Sequence, residues 1–198
     1  MQRKILFLFL LFASFSLVYS SVAYYTLSRP PAQQFMAWGI FSPGGTLSNY
    51  FSGSETNVTL GRVLNWHLAI TNQMGSIQYV QVVYRLGNGT SADPNATFPA
   101  SSIPQLGNSS IFIPNAQTAL LNFTWIIDSK EVRGGMVFLN MTINGRQVSP
   151  FVGALGGQKF RFFFELWTYN VESNSFQYGY PGQNSWIGLP LQVWFNSS

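Results

Sequence analysis

Leu64-Asn65-Trp66-His67-Leu68-Ala69-Ile70-Thr71 sets a large apolar side chain at every second position, with polar or small residues between. Side chains of an extended chain alternate between two faces, so this period predicts a strand with one buried side. The pattern recurs downstream. Val80, Val82, Tyr84 and Leu86 make a second face, Ala119, Leu121, Phe123, Trp125 and Ile127 a third, and Val137, Leu139, Met141 and Ile143 a fourth. Phe160, Phe162, Phe164 and Leu166 make a fifth, and Leu189, Leu191, Val193 and Phe195 a sixth; a seventh strand is expected within Gln34 to Phe41. Turn residues separate these runs at Ser42-Pro43-Gly44-Gly45, Gly87-Asn88-Gly89, Asn144-Gly145 and Pro181-Gly182. Asn144-Gly145 suits a type I′ turn, which predicts a tight hairpin from Met141 to Val148. The stretch Ser91 to Pro114 holds four prolines among many Ser and Asn, and reads as a long surface loop with one short edge strand at most.

Composition leads to the same class. The chain is 17% aromatic and 8% charged, a balance that favours strands over surface helices. The expectation is an all-β, immunoglobulin-like two-sheet sandwich of seven to nine strands over residues 34-198, preceded by one N-terminal apolar helix. The Cys-Trp-Cys spacing of true immunoglobulin domains is absent, because the chain has no cysteine.

Arg3 and Lys4 precede an apolar run from Ile5 to Val18, followed by Ser20, Ser21 and Ala23. A basic start, an apolar stretch and the small-X-small site Ser21-Val22-Ala23 are the features of a cleavable signal peptide. Read on to Leu27, the same stretch approaches the ~20 residues of a membrane-spanning helix, with the basic end held in the cytoplasm. Residues 1-27 are therefore a signal peptide or a transmembrane anchor. Residues 28-33, with Pro30-Pro31, read as a stiff linker.

Seven Asn-X-Ser/Thr triplets follow, at Asn57, Asn88, Asn95, Asn108, Asn122, Asn140 and Asn196. Fifteen Asn and 33 Ser plus Thr placed at random would give about 2.5 such triplets, and the excess points to N-glycosylation outside the cell. Asn122 and Asn140 fall on strand faces opposite the apolar sets, where a glycan is tolerated. Absence of cysteine excludes disulfides and thiolate chemistry, and together with this density of acceptor sites it suits an archaeal surface better than an animal one.

The succession Phe41-Ser42-Pro43-Gly44-Gly45 to Tyr50, Asn57-Val58-Thr59-Leu60-Gly61, Leu68-Ala69-Ile70-Thr71-Asn72 and Leu191-Gln192-Val193-Trp194-Phe195-Asn196 resembles a family of archaeal membrane proteins. Its members carry an extracytoplasmic sandwich domain of unknown function beside one or more spans. The resemblance covers roughly residues 35 to 196 and implies a fold and a location, with no catalytic residues to carry over. The chain departs from it in the insert after Gly87, in the extended Phe-rich strand and in having one candidate span.

Candidate chemistry is sparse. His67 is the only histidine, and it lies on the polar side of its strand. Copper sites of the cupredoxin kind and the common Cys/His zinc sites lack their ligands, so no metal or cofactor is expected. Of the carboxylates, Asp128 and Glu131 are near each other but share a segment with Lys130 and Arg133 that reads as a solvated loop, whereas Glu165 suits cross-strand pairing with a base. No Ser has a nucleophile elbow. A net charge of +4 falls to +2 without Arg3 and Lys4, and no basic face for nucleic acid emerges.

Phe163, Trp167 and Trp194 fall opposite the core faces, which makes them candidate contact aromatics unless the insert and the Tyr169 to Tyr180 segment cover them. The expected protein is no enzyme. It is an N-glycosylated cell-surface sandwich tethered to the cell membrane by its N-terminal helix, meeting other surface proteins or like subunits. The alternative is a secreted filament subunit that donates residues 24-41 as a strand to its neighbour.

Overall fold

The structure, a computed structural model, describes residues 2-27, 33-51, 56-99, 102-182 and 185-197. Two compact units result, residues 1-33 and 34-198. The spacer Ser28-Arg29-Pro30-Pro31 lies outside the described residues.

The first unit is one helix, α1 (Gln2–Leu27). No Gly or Pro interrupts it, and at 1.5 Å per residue it is about 39 Å long. Phe9–Leu27 is long and apolar enough to cross a membrane, a property shared with signal sequences. Its hydroxyls bond back to the helix: Ser14 Oγ donates to the Leu11 carbonyl at 2.9 Å, Ser21 Oγ to Leu17 at 2.7 Å and Thr26 Oγ1 to Val22 at 3.0 Å. Polar groups satisfied this way cost less in an apolar medium.

The second unit is all β. In chain order its strands are β1 (Phe35–Phe41), β2 (Asn57–Val58), β3 (Leu64–Gln73), β4 (Gln78–Gly87), β5 (Gln105–Ile113), β6 (Gln117–Arg133) and β7 (Met136–Ile143). They continue as β8 (Arg146–Val148), β9 (Ala154–Leu155), β10 (Phe160–Asn170), β11 (Ser175–Tyr178), β12 (Tyr180–Pro181), β13 (Trp186–Ile187) and β14 (Pro190–Ser197). Eight of them have seven residues or more. One sheet runs β1-β3-β6-β7-β8 with β9 also on β7; the other runs β2-β14-β10-β4-β5 with β11 also on β10. In the lettering of an immunoglobulin-like sandwich, β1-β3-β6 corresponds to A-B-E, and β14-β10-β4-β5 to G-F-C with an added strand. The strand in the place of D, β7, follows E in the chain instead of preceding it.

The six apolar faces read from the sequence meet between the sheets, and their pairing is continuous. Leu64 to Asn72 of β3 pairs residue by residue with Trp125 to Gln117 of β6. At the centre, fully buried Trp66 stacks on Phe123 and presents or receives ring edges from Tyr50, Phe51, Trp125, Phe162 and Phe164. Such offset and edge-on ring pairs each add roughly 0.5–1.5 kcal/mol beyond simple burial. The tight hairpin forms as expected, with Ile143 opposite Arg146 and positive φ at Asn144 and Gly145.

Two expectations are corrected. First, β5 is a nine-residue strand, not a short fragment of a loop, because it pairs with β4 almost throughout. Second, Asp128, Lys130, Glu131 and Arg133 lie within β6, not in a loop. Gly134 and Gly135, with φ of 57° and 78°, reverse the chain in two residues, so the flanking segments stay paired to the tip. In this chain Tyr24 to Leu27 is helical, and all seven residues of β1 pair with β3.

Candidate functional site

β10 carries a second pattern on the side away from the core. Arg161, Phe163, Glu165 and Trp167 alternate with its core-facing phenylalanines, and Arg85 stands on the same outer face of β4. An outward face of this composition would hold charges in water, yet Arg85, Arg161, Phe163 and Glu165 are all buried. The insert after Gly87 covers them.

The insert starts with a turn built on one side chain. Asn88 Oδ1 accepts from the Thr90 and Ser91 backbone N–H groups at 3.0 and 3.1 Å and from both hydroxyls, while Nδ2 donates to the Gly153 carbonyl at 2.7 Å. Gly87 has no room for a Cβ, since one would lie 2.6 Å from the Phe163 ring. Ile103 then packs on Phe163, and Arg85 Nη1 donates to the Ile103 carbonyl. Arg85 Nε also donates to Glu165 Oε2 at 3.2 Å, and Trp167 Nε1 reaches the same oxygen at 3.2 Å. Arg161 is the second clamp, bonded to Asp93, to the Ser91 carbonyl and to Gln192 Oε1. Its guanidinium lies 4.4 Å from the Phe163 ring centre and 4.6 Å from that of Trp194, a cation held between two π faces. Tyr178 Oη closes the far side by donating to the Asn95 carbonyl at 2.8 Å. Burial, and then the negative charge of Glu165, raise the Tyr178 pKa well above its ordinary value.

The three candidate contact aromatics therefore separate. Phe163 is 0% exposed and belongs to the floor beneath the insert, which corrects its expected place at a contact surface. Trp167 is half-buried against Tyr178. Trp194 stays 42% exposed, with one face on Arg161. Glu165 pairs across strands as expected, with Arg85 as its base.

The outer face of the other sheet is open and carries polar pairs. Thr71 and Thr118 hydroxyls lie 2.7 Å apart, Thr124 Oγ1 donates to Asn65 Oδ1 at 2.7 Å, and His67 Nδ1 is 2.9 Å from Asn122 Oδ1. Thr142 Oγ1 donates to Asp128 and Asn140 Nδ2 to Ser129 Oγ at 2.9 Å. His67 thus has an amide partner, and among the described residues no group of three or more His, Cys, Asp or Glu could hold a metal ion. At the β6–β7 tip Glu131 and Arg133 pair in solvent; that pairing holds the Glu131 carboxyl below the usual range. Beside this tip Val132, Phe151 and Leu155 are 68%, 84% and 73% exposed, and Phe151 borders a shallow cleft of about 370 Å³ with Arg133 and Phe138.

The seven acceptor asparagines also differ. Asn57, Asn95, Asn108, Asn122 and Asn140 are exposed, whereas Asn88 and Asn196 are half-buried. Asn196 stands in register with Asn57 and accepts from the Lys159 backbone N–H at 2.8 Å. Sequence reasoning missed Arg85, Arg161, Asp93 and Tyr178. The available signal was two arginines inside strand patterns of a chain with only 8% charged residues.

No protein-family model matches the chain, and no curated protein does. Among solved structures it is similar to a CARDB domain of Pyrococcus furiosus in complex with di-metal ions, at 10% identity over 85% of this chain and 97% of that one, with a TM-score of 0.39. It is also similar to parts of a β-glucosidase from Erythrobacter marinus, at 7% identity, 83% of this chain, 16% of that chain and a TM-score of 0.38. A Trichoderma reesei β-D-glucoside glucohydrolase aligns at 14% identity over 84% of this chain and 19% of that one, with a TM-score of 0.34. At these identities and scores none assigns a family or an activity.

Proposed function

We propose that this chain is a non-catalytic, N-glycosylated surface protein, held to the cell membrane by α1 and acting through contacts with other surface proteins or like subunits. The observation that carries the reading is the placement of the exposed acceptor asparagines. Asn122 and Asn140 stand on the open face of one sheet, Asn57 and Asn108 on opposite edge strands of the other, and Asn95 on the insert. Sugars there would surround the domain without entering its core. Its carboxylates and arginines fit the same view, since the buried ones clamp the insert instead of lining a cleft. The contact surface in this reading is the outer side of the β6–β7 tip, where Phe151 and Leu155 are 84% and 73% exposed.

Retention of α1 is part of the proposal, with Arg3 and Lys4 on the cytoplasmic side and the sandwich outside. So is an archaeal surface, from seven acceptor triplets in a chain without cysteine. The test is intact mass and N-terminal sequencing of the protein from native membranes, before and after chemical deglycosylation. A chain that keeps Ile5 to Val18, needs detergent and loses mass on deglycosylation supports the reading. A chain starting near Tyr24 sinks the anchor, and an unchanged mass sinks the glycoprotein.

A further inference from the structure

We infer that Asn108 is a modified residue and that its glycan shields the free edge of β5, a role that rests on the glycoprotein reading above. β5 ends its sheet, and among the described residues no strand pairs with its outer side. Nine residues of strand expose about 30 Å of edge, and unpaired N–H and C=O groups along such an edge template the addition of another chain. Proteins ordinarily guard long edges with charge, proline or extreme shortness. Gln105 to Ile113 contains no charged residue and no proline; Pro104 and Pro114 stand only at its two ends.

The other sheet ends differ. β2, β8 and β9 have two or three residues each, too few to template a partner strand. β1 is longer, but the chain after it folds back: Tyr50 Oη donates to the Ile40 carbonyl at 3.0 Å, and Leu47 lies against Gly39. β5 is thus a long edge with neither charge nor proline between its ends, and its middle carries Asn108-Ser109-Ser110.

Asn108 is the fourth of the nine residues, so it sits near the middle of the edge. Leu106 and Ile111 pack on the core, while Asn108, Ser110 and Phe112 are exposed. Among the described residues the Asn108 carboxamide has no hydrogen-bond partner, in contrast to the fully engaged one of Asn88. A neighbouring strand would have to settle 4.7–4.9 Å away, well inside the volume of even the first sugars of an N-glycan on that side chain. The modification would supply the protection that charge supplies elsewhere.

The experiment uses the full-length chain expressed in its native host and purified in detergent. Peptide mass spectrometry reads occupancy, and sedimentation velocity reads association of the wild type, N108Q, S110A and N95Q. S110A removes the triplet but keeps Asn108, and N95Q removes an exposed site away from the edge. The expected result is that N108Q and S110A each lose one glycan and self-associate at a concentration at least tenfold lower than the wild type. N95Q should lose a glycan without this shift, and F112K, a charge on the same strand, should return N108Q to wild-type behaviour. An unmodified Asn108 in a protein with sugar at other sites overturns this inference alone, as does an N108Q that remains dispersed. Absence of sugar at every site overturns the glycoprotein reading with it.

Discussion

The two outer faces of this sandwich have the same local grammar and opposite fates. On β3, β6 and β7 the positions between core residues include Asn65, Thr71, Thr118, Asn122, Thr124, Asn140 and Thr142, which form hydrogen-bonded pairs on the outer face. On β4 and β10 the equivalent positions include Arg85, Arg161, Phe163 and Glu165, buried under residues 88-99 and 102-104. A face that remains in water needs only polar side chains, whose individual contributions are small. A face that is covered must pair every charge it retains, so each member becomes expensive to remove.

The sharpest way to break that contrast is to truncate one residue on each face. E165A leaves the Arg85 guanidinium buried without its carboxylate, and should cost ~3–5 kcal/mol. T118A, which removes one partner of an exposed hydroxyl pair, should cost about 0.2–1 kcal/mol. Guanidinium unfolding midpoints of the full chain in detergent measure both; equal losses would mean that the insert does not seal the second face.

R161M should come next. It deletes the bonds to Asp93, the Ser91 carbonyl and Gln192 together with the cation between Phe163 and Trp194, a loss of ~2–3 kcal/mol for desolvated interactions of this type. Limited proteolysis should then cut within residues 88-104 before any other part of the domain. Cleavage starting at the β6–β7 tip would show that Arg161 is not the clamp.

A smaller effect separates two asparagines that look identical as acceptor triplets. N88Q should destabilise by ~1–2 kcal/mol, because the longer side chain cannot make the same turn bonds, and should leave the glycan mass unchanged. N122Q, on the open face, should remove one glycan and alter the midpoint by less than about 0.5 kcal/mol. Loss of sugar from N88Q would place Asn88 among the modified sites.

The smallest effect is read through pH. The Tyr178 pKa is raised in the folded state from an ordinary value of 10.0, so folding favours the protonated phenol. Its contribution is fully present below pH 10 and is lost as pH rises towards the higher folded value. Y178F should lower stability by about 1 kcal/mol at neutral pH, through the lost bond to Asn95, and should flatten the decline above pH 10. An alkaline decline equal in both proteins would assign it to other groups.

Much of this architecture was legible in the chain. The period of two marked the inward residues of six strands, Asn144-Gly145 announced its hairpin, and the apolar run after Lys4 announced a helix. Each depends on neighbours a few residues apart, through side-chain alternation, turn dihedrals and helix length, so local sequence suffices to read it. β5 and the far half of β6 were less legible because their pairing, with β4 and β7, outweighs the loop-like composition of one and the charges of the other. Cover of one outer face by the insert was legible only as an alternative, and the charged residues that clamp it were not. Arg85 meets Glu165 across 80 positions, and Arg161 meets Asp93 across 68. Nothing local distinguishes a strand arginine that will point into water from one that a distant insert will cover. Whether Phe163 is a contact residue or a floor, and whether the Asn88 side chain is free or builds a turn, followed from how the chain after Gly87 folds back, because burial and hydrogen-bond partnership belong to the assembled sheets and not to any segment of them.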